Sequence, residues 1–152
     1  LKREIILLKH FKGAPGLRLF GIGPNLIPCR GLYKLKILLD KNTSWATNRT
    51  IKDLKHCLAN SDVIVSLWSN NKILGFGRGL SDGTYRSVLW DIVIDHHHQG
   101  KGYGKLIVNS LLDSKIIKDS EKVYLMTSNQ KDFYSQIGFK EVLSQNLLIR
   151  KH

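Results

Sequence analysis

A chain of 152 residues, 42% apolar and 24% charged, is long enough to bury one hydrophobic core and too short for two, so one folded domain is expected. No apolar run approaches the roughly 18 residues that span a bilayer, and Ile5 to Leu8, ended by Lys9, lacks the length of a secretory signal core. Neither a membrane span nor a disordered tail is expected and nothing points to export, while Cys29 and Cys57 are too few for a disulfide scaffold or a metal site, as suits a reducing compartment.

Twenty-four Lys and Arg against 12 Asp and Glu give a formal charge of +12. Such an excess fits an anionic partner, whether nucleic acid, membrane surface or phosphorylated ligand, and it equally fits the Lys-, Ile- and Asn-rich usage of an AT-rich genome such as an organelle's. Only the first quarter, from Lys2 and Arg3 to Lys34 and Lys36, resembles a basic arm.

In chain order, residues 12–31 hold Gly13, Pro15, Gly16, Gly21, Gly23, Pro24, Pro28 and Gly31, a density of breakers that leaves room for one short strand near residues 17–22. Residues 1–31 are therefore read as an N-terminal extension with a possible first strand, and 32–152 as the domain. Leu32, Leu35, Leu38 and Leu39 predict a helix over 32–40, and Ile51, Leu54 and Leu58 behind the capping Thr50 predict a second over 50–59. Residues 63–68 and 73–79, joined through Ser69-Asn70-Asn71-Lys72, read as a hairpin, with a third strand over 87–94 after the turn Ser81-Asp82-Gly83. A glycine-rich loop then leads into a helix over 105–117, followed by a strand over 123–127, a short helix over 131–137 and a closing hairpin from Gly138 to Arg150.

Strand, loop, helix, strand is a parallel crossover, in which ligands sit at the carboxyl ends of the strands. In Gln99-Gly100-Lys101-Gly102-Tyr103-Gly104, alternating glycines remove side chains where amides turn outward at a helix start, a cradle for phosphate. A dinucleotide fingerprint would need glycine where Lys105 stands, and a Walker loop would need Ser or Thr after Gly-Lys. Neither fits.

The pattern Q-x-x-G-x-G, together with the strand LWDIVI before it and YLMTSNQKDFYSQIGF after it, resembles the GNAT N-acetyltransferase superfamily over about residues 32–143, and most closely its cyanobacterial and plastid-encoded members. Plant relatives of those proteins acetylate protein amines and serotonin. The resemblance implies an α/β GNAT fold: a mixed, twisted sheet of about six or seven strands with flanking helices, whose two central parallel strands, here 87–94 and 123–127, splay apart. It further implies acetyl-CoA as cosubstrate, with the backbone of Ile92, Val93 and Ile94 on pantetheine and Gln99, Gly100, Lys101, Gly102, Tyr103, Gly104 and Lys105 around the pyrophosphate. Asn129 matches a position that contacts the cofactor arm, and Tyr134 the tyrosine that protonates the leaving thiolate.

Acetyl transfer also asks for a base, and Asp91 is the one acid in an otherwise apolar strand. Burial would raise its pKa, whereas an Arg78 or Arg86 partner would lower it, and the sequence leaves both open. Trp45 and Arg49, between the first two helices, fall in the region that shapes the acceptor site in GNAT proteins. The consecutive His96, His97 and His98 cannot all face one ion from a short loop, so no metal is expected. The expected function is acetyl transfer from CoA to a primary amine, either an arylalkylamine such as serotonin or a protein lysine or N-terminal amine, in a ternary complex. The alternative is a non-catalytic acyl-CoA-binding regulatory module. No basic and aromatic ladder supports nucleic-acid binding; no membrane partner is expected, and a homodimer is open. The expected location is the plastid stroma for an organelle-encoded chain, otherwise the cytoplasm.

Overall fold

A computed structural model describes residues 4–14, 23–24 and 30–152. Five strands, β1 (Ile5–Phe11), β2 (Val63–Ser69), β3 (Lys72–Ser81), β4 (Arg86–Ile94) and β5 (Lys122–Tyr124), make one sheet in sequential order. The first four pair antiparallel and β4 pairs β5 in parallel. The helices are α1 (Gly31–Asn42), α2 (Ile51–Ala59), α3 (Tyr103–Leu112) and α4 (Lys131–Ser135), with a 3-10 turn at His96–His98.

Helices cover both faces. Along β2 every residue is buried, and the alternation sorts Ile64 and Trp68 toward the leucines of α1 and α2, and Val63, Val65 and Leu67 toward Ile107, Val108 and Leu111 of α3. The β2–β3 turn is the two-residue Asn70-Asn71, whose φ of 45° and 61° give the twist a tight hairpin needs. Thr50 caps α2 by accepting from the Asp53 amide at 3.1 Å.

Gly75, Gly77 and Gly79 project from β3 toward α3. A Cβ on Gly75 would lie 2.7 Å from Ile107 Cδ1, and one on Gly77 2.9 Å from Ile107 Cγ2 and 3.0 Å from Leu111 Cδ1. At Gly79 it would meet Ile117 Cδ1 at 2.6 Å. The stripe is a trench that lets α3 approach the sheet more closely than any side chain would permit.

Four expectations change. The sheet has five strands among the described residues rather than six or seven. Residues 139–152 form no strand, and Leu143, Leu148 and Ile149 are 86%, 88% and 74% exposed: Ser144-Gln145-Asn146 has no glycine for a tight turn, and adjacent rather than alternating apolar residues cannot all face one core. Helix α3 ends at Leu112, where Ser114 Oγ donates to Leu111 O and the chain continues in turns that still bury Ile117. Strand β5 stops at Tyr124, because β4 no longer lies beside it. The first strand is Ile5–Phe11, paired along its length with β2; the strand expected near residues 17–22 lies outside the described residues.

Gly77→Val should lower unfolding stability by about 1–3 kcal/mol through overpacking against Ile107 and Leu111, read as a lower denaturant midpoint at unchanged m-value. An unaltered midpoint would show that α3 can retreat without cost.

Candidate active site

Parallel pairing joins Arg86, Ser87 and Val88 to Lys122, Val123 and Tyr124 and then ends. Beyond it β4 runs on to Ile94, paired with β3 through Val93 and Ile94 but, among the described residues, with no strand on its other edge. Ile92, Val93 and Ile94 thus sit on an open strand edge, whose backbone groups can bond an extended ligand as they would a neighbouring strand.

That edge leads into the glycine loop. Gly100 and Gly102 have φ of 75° and 83°, and a Cβ at either would meet nothing within 4 Å, so the turn demands glycine for its backbone while the space outside is open. Gly102 is the N-cap of α3; no side chain caps the helix, and no acid stands in its first turn. The first amides and the positive end of the helix dipole are left to whatever lies outside, an arrangement suited to an anion. Lys101 and Lys105 flank the loop, both exposed. Gln99 folds back, its Nε2 donating to Ile94 O at 3.4 Å, and half-buried Tyr103 packs on the α3 side of the core. A Cβ on Gly104 would lie 3.0 Å from Phe133 Cζ and 3.8 Å from Ile94 Cγ1, so the end of β4, the start of α3 and α4 meet at this glycine.

Asp91 stands at a bulge. Phe76 opposes Val93 and Arg78 opposes Trp90, so Asp91 and Ile92 together face Gly77, and Asp91 takes a φ of 54°, a left-handed conformation that costs on the order of 1–3 kcal/mol unless its surroundings enforce it. They do. Arg49 Nη1 and Nη2 donate to its two oxygens at 2.8 and 3.3 Å, and Arg78 Nε donates at 2.8 Å. Burial pushes the carboxyl up, but the hydrogen bonds and charges of Arg49 and Arg78 outweigh it and hold the carboxyl below its ordinary value. Of the two partners considered from sequence, Arg78 is used; Arg86 pairs instead with Glu121 at 3.1 Å. A carboxylate so held is a poor base, and the geometry makes Asp91 a clamp that ties the α1–α2 connection to β4.

Tyr134 is half-buried, edge-on to Phe133 and Phe139 with ring centroids 4.9 and 5.9 Å away, and burial pushes its phenol up. It lines a cleft of about 560 Å³ with Leu125, Met126 and Thr127, the stretch that continues β5 away from β4. Asn129 is exposed in the following turn. Trp45 is 61% exposed and therefore no core residue, and Arg49, expected at the acceptor, is engaged with Asp91. The histidines form an exposed to half-exposed turn in which His98 Nδ1 and an Asp95 oxygen lie 2.6 Å apart. The sequence shows Phe133 as a packing neighbour of Tyr134 but not its contact with Gly104, and it carries no local signal for Arg49 as the second partner of Asp91.

Residues 59–141 match the acetyltransferase (GNAT) domain family. The chain is 33% identical over 113 residues to "Uncharacterized N-acetyltransferase ycf52" of Pyropia yezoensis, covering 71% of this chain and 64% of that protein. It is 29% identical over 121 residues to "Histone acetyltransferase TAP1" of Glycine max, covering 72% and 52%. The chain thus spans about half to two thirds of the length of these relatives. A solved structure from Xanthomonas campestris pv. campestris, described as belonging to the GNAT family, superposes with a TM-score of 0.71 at 18% identity, covering 97% of this chain and 94% of that one.

Replacing Asp91 by Asn removes the charge that two guanidiniums share, and stability at neutral pH should fall by on the order of 3 kcal/mol. Because the folded-state pKa of Asp91 is depressed, its contribution is complete above the unfolded carboxyl value of about 3.9 and is lost as pH falls below it. The variant should therefore show a shallower acid limb in chemical denaturation below about pH 4. An acid limb parallel to the parent's would remove Asp91 as the stabilising anion.

Proposed function

The chain belongs to the GNAT acetyltransferase family, and on that premise we propose that it transfers acetyl from acetyl-CoA to a primary amine by direct attack in a ternary complex. The observation that carries this reading is the continuity of the open β4 edge with the uncapped start of α3: one groove offers backbone partners for an extended amide-bearing arm and then amides for its phosphates. In this reading Ile92, Val93 and Ile94 bind the pantetheine and polarise the thioester carbonyl. Gln99, Gly100, Lys101, Gly102, Tyr103, Gly104 and Lys105 surround the pyrophosphate, and Asn129 flanks the arm.

Acetyl-CoA supplies the activated acyl group. The amine nitrogen, once deprotonated, forms the C–N bond, the C–S bond breaks, and the electron pair leaves with sulfur, which ends as the thiol while the other proton goes to solvent. Tyr134 is the proposed donor to that sulfur, and the second nitrogen proton restores its phenol. With a phenol reference value of about 10 against about 8.5 for a thiol, its contribution rests on a short hydrogen bond in the collapsing intermediate; burial of Tyr134 keeps that proton in place at working pH. Asp91 is not assigned the base role in this reading, since Arg49 and Arg78 occupy it, and the ammonium proton leaves to water.

For the acceptor, the exposed indole of Trp45 suits an aromatic amine by stacking or the aliphatic stem of a lysine by coverage. A relative from Arabidopsis thaliana carries the name "GCN5-related N-acetyltransferase 2, chloroplastic" at 28% identity, covering 72% of this chain and 50% of that protein, which supports a plastid location for this chain as well. A non-catalytic acyl-CoA-binding module would share the groove and lack turnover.

The test of the groove is binding. Acetyl-CoA should raise the melting temperature of the parent by mass action; Gly102→Asp, which places a carboxylate at the start of α3, should abolish that rise, whereas Gly102→Ala, strained alike but uncharged, should retain part of it. Equal acetyl-CoA affinity in all three by calorimetry would remove the loop from the cofactor site. Tyr134→Phe should keep acetyl-CoA affinity while turnover falls at least tenfold; a rate within twofold of the parent at saturating substrates would take Tyr134 out of the chemistry.

A further inference from the structure

A second concave site adjoins the His96–His98 turn and is lined by no residue of the glycine loop. It has a volume of about 370 Å³ and is bounded by α1, the β2–β3 turn and the chain just after β4. Lys34 and Lys41 of α1, Lys72 at the start of β3, and His96 and His97 face it, against one carboxylate, Asp95. Asp95 is already engaged: its Oδ2 lies 2.6 Å from His98 Nδ1 and 3.6 Å from Lys72 Nζ. Lys41 pairs with no acid among the described residues.

Lys34 and the histidine turn are held in place. Lys34 Nζ donates to Asn71 O at 2.7 Å and sits 5.7 Å from the centroid of the Trp68 ring. Asn42 donates its Nδ2 to Leu38 O at 2.8 Å, which fixes its Oδ1 toward His96, where it accepts from the backbone amide at 2.8 Å and lies 3.1 Å from the ring Nδ1. The His97 and His96 ring centroids lie 3.8 Å apart, with the rings tilted by 40°. Like charges gathered in a hollow with apolar walls of Ile37, Leu38 and Ile73 repel one another, and the low-dielectric walls focus their field on the space between them.

We propose that this hollow binds a small phosphorylated organic molecule, its phosphate among Lys34, Lys41 and Lys72 and its body against Ile37, Leu38 and Ile73. Phosphate fits better than carboxylate. Among the described residues the site has no guanidinium fork to match a planar carboxylate, and it offers instead point-charge ammoniums from α1 and β3, which suit oxygens spread in several directions. The volume falls in the range of about 300–1,000 Å³ usual for small-molecule sites, so a bare phosphate would leave most of it unfilled. The phosphate belongs either to the amine acceptor or to a separate effector, and the site stands whether or not the chain transfers acetyl groups.

Calorimetric titration of the intact chain with inorganic phosphate tests this, in the parent, in Gly102→Asp and in the double variant Lys41→Gln/Lys72→Gln. Phosphate binding should persist in Gly102→Asp and weaken at least tenfold in the double variant, while that variant keeps its melting temperature within a few degrees and its acetyl-CoA affinity within twofold. Undiminished phosphate affinity in the double variant, or loss of all phosphate binding in Gly102→Asp, would overturn the proposal. Loss of acetyl-CoA binding or turnover alone would count against the transferase reading and leave this site standing. Where turnover is measurable, phosphate that raises the KM of a simple amine identifies the acceptor's own phosphate subsite, and phosphate that leaves this KM unchanged identifies an effector site.

Discussion

The carboxylate of Asp91, gripped by two guanidiniums, is the interaction on which the geometry of the groove depends. It lies where β4 takes its extra residue, so the same ion pairs hold the left-handed backbone that the bulge requires. Arg78 ties it to the neighbouring strand and Arg49 to the connection between α1 and α2. A buried ion pair of this kind adds little net stability over well-packed apolar residues, yet losing one partner is costly. Its value here lies in specifying one arrangement: the strand edge that would bind a cofactor and the loop that would meet an acceptor are fixed to the same carboxylate.

From that anchor the rest follows by divergence. Strand β4 is paired on both sides at Ser87 and Val88 and then, among the described residues, on one side only, while Phe133 and Tyr134 of α4 pack on the same core as Ile92 and Ile94. The described positive charge gathers at two places, Lys101 and Lys105 beside the glycine loop and Lys34, Lys41 and Lys72 around the hollow next to the histidine turn.

Elements whose cause is local were legible in the sequence. The Asn-Asn turn, the Thr50 cap and the leucine spacing of α1 each follow from a few adjacent residues, as did the glycine loop and its place between strand and helix. What depended on partners far along the chain was not. Arg49 and Asp91 are 42 positions apart, so an acid in an apolar strand could equally announce a base or an ion pair. The apolar run at Ile5 to Leu8 has no alternation to mark β1, because its residues are all half-buried. Leu125 to Thr127 have strand-like composition yet lie where no partner reaches them. The stretch Gly75 to Gly79 read as strand, and its period of two in glycine carried a further signal, a close-packed helix, that becomes visible only once α3 lies across it.

That trench has a mechanical consequence. With Ile107 and Leu111 seated directly on the glycine backbone of β3, α3 has no side-chain cushion over that strand to absorb displacement, and interiors packed to crystal-like density transmit strain rather than dissipate it. The helix is a short rigid rod of about 15 Å at 1.5 Å rise per residue, seated on β3 at its middle and far end and meeting Phe133 and Ile94 at Gly104. A tilt at the sheet is carried along it to Gly102. The sheet therefore sets the aim of the helix amides, and a substitution in β3 that never touches a ligand would move the place where its phosphates are received.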